Sequence, residues 1–180
     1  MFNINFTANY IKPAVIKKND GRGNFCPYKV SVVEFDNYNK NDEVTLRKIS
    51  REWDDDFSTE IYLDFIENQV YRTNPKRHFF AITLQAEDHE HLRNEEIMGL
   101  AEFEEGKNIN ELLFLQVNPK QNFSSNQNEY KHIGTAMLNF LETYFIRKPI
   151  KVAPVPSAYD FYKKNEFTPM PKNNSYMWKA

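Results

Sequence analysis

The segment Glu111-Leu112-Leu113-Phe114-Leu115-Gln116-Val117-Asn118-Pro119, continued after a polar loop by Lys131-His132-Ile133-Gly134-Thr135-Ala136, decides how this 180-residue chain is read. Its first half is an apolar run bounded by polar residues, the pattern of a buried strand. Its second half opens a helix, because Ile133, Ala136, Met137, Phe140, Leu141, Tyr144 and Phe145 recur at three- and four-residue spacing. A helix start leaves N–H groups without partners and carries partial positive charge, which suits a phosphate. Gly134 and Ala136 keep side chains off the path of such a phosphate. The competing reading of Gly134 is a glycine that eases helix packing, and one glycine does not decide between them.

Upstream, His78 to Leu84 and Ile97 to Glu104 read as two more strands, with Gly106 in the turn before Glu111. Leu46, Ile49, Trp53 and Phe57, then Ile61, Phe65 and Ile66, keep helical spacing and predict two helices broken near Asp54–Ser58. Ile11 to Lys17 and Tyr28 to Phe35 flank Asn19-Asp20-Gly21-Arg22-Gly23 and predict a long hairpin. Phe2, Ile4 and Phe6 alternate with asparagines as a further short strand, an edge on which a second subunit would pair. Downstream, Ile150 to Ala153 reads as a strand, Ser157 with Asp160 as a capping box for a short helix through Asn165, and Tyr176 to Trp178 as a last strand.

Strands interleaved with helices predict an α/β (α+β) domain: a mixed, mostly antiparallel central sheet of about six to seven strands with helices on both faces. One domain spans 1–180. A net charge of −2 and a pI near 6.1 give no basic excess, so neither a dedicated nucleic-acid binder nor a polybasic membrane protein is expected. No apolar run approaches a spanning helix, and Met1 to Tyr10 lacks the pattern of a signal peptide. Cys26 alone permits no intrachain disulfide and no thiolate metal cluster, and a reducing cytoplasmic setting is the simplest expectation. His89 and His91 lack metal-ligand spacing and read as a solvated acidic turn, so no metal is expected. Trp53 and Trp178 read as core.

These motifs resemble the GNAT superfamily of N-acetyltransferases. Leu115-Gln-Val117-Asn-Pro119 resembles the family's L-x-V-x-P strand end, and Lys131-x-x-Gly134-x-Ala136 its Q/R-x-x-G-x-G/A signature with lysine at the first position. Ala158-Tyr-Asp-Phe161-Tyr162-Lys-Lys-Asn-Glu166-Phe167 is similar to its A-x-x-F-Y-x-x-x-G-F helix, and Ile97-Met-Gly99-Leu-Ala101 to its I-x-G-x-A strand. The resemblance covers about residues 78 to 170, which it marks as a cofactor-binding core, whereas residues 1–77 match only in coarse order. Glu166 departs from the family's glycine and is expected to strain the turn. The loop from Asn118 to Tyr130 is longer than usual, an insertion or a flap.

The resemblance implies acetyl-CoA as donor and a primary amine as acceptor, with no metal. It implies that the pantetheine arm runs along strand backbone at Leu115 and Val117, and that the diphosphate takes the amides of Ile133, Gly134, Thr135 and Ala136. Lys131 would add charge, and His132 either touches phosphate or lines the helix start. An ammonium of pKa about 10.4 costs on the order of 4.6 kcal/mol to deprotonate at pH 7, so a base is expected. Glu111 is the first candidate: it matches a carboxylate of some members and, by strand alternation, shares the face of Val117. Glu102 and Glu104 are the others. Tyr162 matches the tyrosine that protonates the departing thiolate, with Tyr159 as fallback. The competing function is a catalytically silent domain that binds CoA or a protein; a P-loop binder is a poor third, because no GxxxxGK(S/T) occurs.

Overall fold

A computed structural model describes residues 8–71, 76–86, 91–122, 128–145, 148–171 and 173–180. The expected strand at Phe2, Ile4 and Phe6, His89, and part of the 118–130 loop lie outside them. In chain order the elements are β1 (Asn9–Asn19), β2 (Phe25–Glu34), α1 (Lys40–Trp53), α2 (Asp56–Tyr71), β3 (Lys76–Thr83), β4 (Ile97–Glu105), β5 (Asn110–Val117), α3 (Pro119–Asn122), β6 (Tyr130–Lys131), α4 (Ile133–Tyr144), β7 (Ile150–Val152), α5 (Tyr159–Lys164), β8 (Thr168–Met170) and β9 (Asn173–Lys179).

The hairpin turn forms as its residues dictate. Asn19 Oδ1 accepts from Gly21 N–H at 2.9 Å, Asp20 Oδ1 accepts from Arg22 N–H at 2.8 Å, and Gly21 and Gly23 take φ of 79° and 89°. The two helices break where Asp54 turns left-handed, at φ 49°, and Asp55 caps α2 by accepting from Ser58 N–H at 2.9 Å. The expected capping box at Ser157 and Asp160 does not form. Pro156–Ala158 is a 3₁₀ turn that runs straight into α5, so Ala158 occupies the cap position and no side chain caps it.

One sheet runs in the order β6-β1-β2-β3-β4-β5-β7-β9-β8, antiparallel everywhere except between β5 and β7. Its nine strands exceed the expected number. The short β6 and β8 are defined by distant partners, as in Lys17 opposite Lys131 and Thr168 opposite Trp178, and carry no periodic signal of their own. Helices cover both faces. On one, α4 buries Ile133, Met137, Phe140 and Leu141 against Ile16, Val32, Phe80, Phe103 and Leu112. On the other, α1 and α2 bury Leu46, Ile49, Ile61 and Phe65 against Val33, Phe79, Ala81 and Leu100. Each fully buried side chain of this size stabilises by about 1.5–3 kcal/mol. Trp53 belongs to this second core, whereas Trp178 is only half-buried.

Candidate active site

Two departures from regular sheet geometry shape the site. Glu102 stands opposite Phe114 and Phe103 opposite Leu112, so Leu113 is an extra residue, a β-bulge in β5. Leu112, Leu115 and Val117 therefore all face α4, while Phe114 faces α2. Second, β5 and β7 pair in parallel only through Asn110–Leu112 and Ile150–Val152. Beyond that point they splay, and among the described residues no strand lies on the β7-facing side of Leu113–Val117.

A cleft of about 420 Å³ fills the splay, lined by Leu113–Val117 of β5, residues 152–155 after β7, Phe57 of α2, Gly134 of α4, and Phe161 and Tyr162 of α5. A second cavity of about 380 Å³ lies at the start of α4, lined by Tyr130, Lys131, His132, Ile133 and Thr135 among others. The two meet at Val117, Gly134 and Phe161, which line both.

At the α4 start the structure corrects one of the four expected amides. His132 sits at the cap position in left-handed geometry, φ 65°, and its side chain makes no capping hydrogen bond. Ala136 N–H is already given to His132 O at 2.9 Å, so it is not available to a ligand. The N–H groups of Ile133, Gly134 and Thr135 precede the first rung of the helix ladder and have no partner within it. Gly134 has a packing role as well: a Cβ there would lie 2.9 Å from Phe161 Cζ. Gly99 plays the same part for Ile133, whose Cγ2 would lie 2.9 Å from its Cβ. Lys131 reaches the site edge with Nζ 3.9 Å from the centre of the Phe25 ring, a cation–π contact.

Tyr162 is 6% exposed and lines the cleft, and burial raises its phenol well above the ordinary value. Tyr159 is 37% exposed and does not line it. The turn after α5 keeps its hydrogen bonds, with Glu166 held in the left-handed region as its departure from glycine leads one to expect. Glu166 adopts φ 69°, and Glu166 N–H and Phe167 N–H reach Lys163 O and Tyr162 O, both at 3.1 Å.

The carboxylates stand elsewhere. The bulge puts Glu111 on the face opposite Val117, which corrects the alternation argument: six residues of separation include one that does not alternate. A row of paired residues, Arg77, Glu104, Glu111 and Lys151, crosses four strands. Lys151 Nζ lies 2.8 Å from Glu111 Oε2, and Arg77 Nε 3.6 Å from Glu104 Oε2. Glu102 is fully buried with Arg77 Nη1 at 3.1 Å from Oε1, and Arg77 Nη1 also lies 3.2 Å from Asp64. Desolvation and the Asp64 charge outweigh the guanidinium and push Glu102 up to about 9. None of the three lines either cavity. The cleft-lining Phe57 and Phe114 were not singled out as site residues, because each reads from sequence as an ordinary core position. No group of three or more metal-ligating side chains occurs among the described residues, and no helix among them is long and apolar enough to cross a membrane.

No protein-family profile matches the chain, and no curated protein matches it in sequence. Solved structures do resemble it. The Bacillus subtilis N-acetyltransferase YlbP, solved in complex with coenzyme A, gives a TM-score of 0.51 at 15% identity, over 84% of this chain and 96% of that one. Aminoglycoside 6'-acetyltransferase type Ii gives 0.51 at 20% identity, over 83% of this chain and 96% of that one. The splayed strands, the uncapped helix start and the phenol between them thus sit in a molecule that has the fold of the GNAT N-acetyltransferases.

Proposed function

We propose that the chain is an acetyl-CoA-dependent N-acetyltransferase that moves an acetyl group directly to a primary amine. The observation that carries this reading is the continuity of the site: the first turn of α4, where Ile133, Gly134 and Thr135 precede the first rung of the helix ladder, opens onto a cavity that joins, past Phe161, the cleft lined by Tyr162. The residues fit the cosubstrate. Three backbone donors and Lys131 would hold a diphosphate, with His132 beside them. The free side of β5 at Leu115 and Val117 offers backbone to an extended arm. The coenzyme A bound by YlbP supports the assignment.

Acetyl-CoA supplies the thioester. The chain orients it and manages two protons. A departing thiolate needs one, and Tyr162 keeps its proton at every pH an assay would use, because burial disfavours phenolate. The acceptor ammonium must lose one. Glu111 is the proposed base, acting through solvent rather than by contact, since it is paired with Lys151 outside the cleft. Glu102 holds its own proton at neutral pH and is unsuited to the task.

Titration calorimetry with acetyl-CoA, followed by free-thiol release on a panel of amines, tests the reading. Binding together with amine-dependent thiol release is expected. Binding without release on any amine would leave a silent binder, and no binding would reject the site. An unchanged acid limb of the pH–rate profile in Glu111→Gln would remove that carboxylate from the mechanism.

A further inference from the structure

On the acetyltransferase reading, a donor running along Leu115 and Val117 beside α4 would leave the α2 side of the cleft for the acceptor. Among the described residues that side is walled by Phe57, Leu113, Phe114 and Val155, with the uncharged Gln116 beside them, and no carboxylate, lysine or arginine lines any part of the cleft. The Phe57 and Phe114 rings lie 5.9 Å apart at 53°. Leu113 is there because it is the bulged residue, an extra apolar side chain in a strand that alternation would have turned elsewhere. On the same sheet face Glu104 lies beside Arg77, which also meets Asp64 of α2, and Glu111 lies beside Lys151.

Such a wall discriminates between amines by charge. A polyamine or an aminosugar would bring a second ammonium to a surface with no counter-charge, and a free amino acid would bring an unpaired carboxylate; both are disfavoured on desolvation. An amine with one charge and an apolar body removes that body from water against Leu113 and Val155 and meets ring faces that attract its cationic head. We propose that the acceptor is a primary monoamine with an uncharged alkyl or aryl body, and that Phe57 and Phe114 determine this choice. The inference rests on the acetyltransferase reading above and narrows it.

The test uses the full chain with saturating acetyl-CoA and compares thiol release with phenethylamine, hexylamine, spermidine and lysine. The expected kcat/KM is at least about tenfold higher for the first two, the scale on which an apolar pocket discriminates. Phe57→Leu keeps apolar volume but removes a ring face, and should reduce the preference for phenethylamine over hexylamine without altering acetyl-CoA affinity by calorimetry; Phe114→Leu is the second such variant. Equal or faster turnover of spermidine or lysine overturns the proposal and leaves the cofactor site standing. Bound acetyl-CoA with no turnover of the monoamines also overturns it. Failure of the unaltered protein to bind acetyl-CoA rejects the site itself and this inference with it.

Discussion

Gly134 and Phe161 touch across the cleft so closely that a single added carbon on the glycine would stand 2.9 Å from Cζ of the ring. The first turn of α4 and the first turn of α5 are therefore fitted to each other at the point where the two cavities join. Gly134→Ala must push the ring aside, and the ring lines both cavities. We expect acetyl-CoA affinity to fall about tenfold, or about 1.4 kcal/mol, by calorimetry. Adding Phe161→Leu should recover part of that loss. Full affinity in Gly134→Ala would show that the ring does not share the ligand's path.

Tyr162→Phe removes one hydroxyl from a buried ring. Turnover should fall on the order of 10²-fold while acetyl-CoA affinity stays unchanged, because the ring still fills its place between Phe161 and Phe167. Equal loss of affinity and turnover would point instead to a packing role.

Glu102 makes stability depend on pH. The folded chain holds its proton up to about 9, while the unfolded chain releases it near 4.5. Between those values the unfolded state binds fewer protons, so stability falls as pH rises. Glu102→Gln keeps the shape and removes the titration. Denaturant melts should show the variant gaining on the parent steadily from pH 5 to pH 9, by at least about 1 kcal/mol. A constant difference across that range would contradict the raised value.

Glu166→Gly should stabilise the protein. A non-glycine residue at φ 69° costs about 1–2 kcal/mol, and the ion pair with Lys179 at 3.0 Å offsets little of it, since Glu166 is 80% exposed. A higher midpoint in denaturant with an unchanged slope is the expected result.

What was legible in the sequence was whatever local chemistry determines. The turn at Asn19–Gly23, the break at Asp54 and the apolar stripe of α4 each follow from residues close to one another in the chain. The helix start near Gly134 was legible for the same reason. What the sequence hid depends on partners far away. Lys131 belongs to a strand because Lys17 lies beside it, and Leu113 is a bulge because of how Phe103 meets Leu112. That single irregularity moved Glu111 off the expected face. Periodicity has no means to announce a residue that breaks it.

The short parallel contact between β5 and β7 reaches beyond the site. Among the described residues, three consecutive pairs stitch the flank carrying β1 to β5 to the flank carrying β7 to β9 at the level of the sheet. An extended ligand lying along Leu115–Val117 would sit inside the ladder as an inserted strand does, tethering both flanks at once. On the proposed function, donor binding would then supply stiffness as well as an acetyl group, and the chain would be most rigid when loaded.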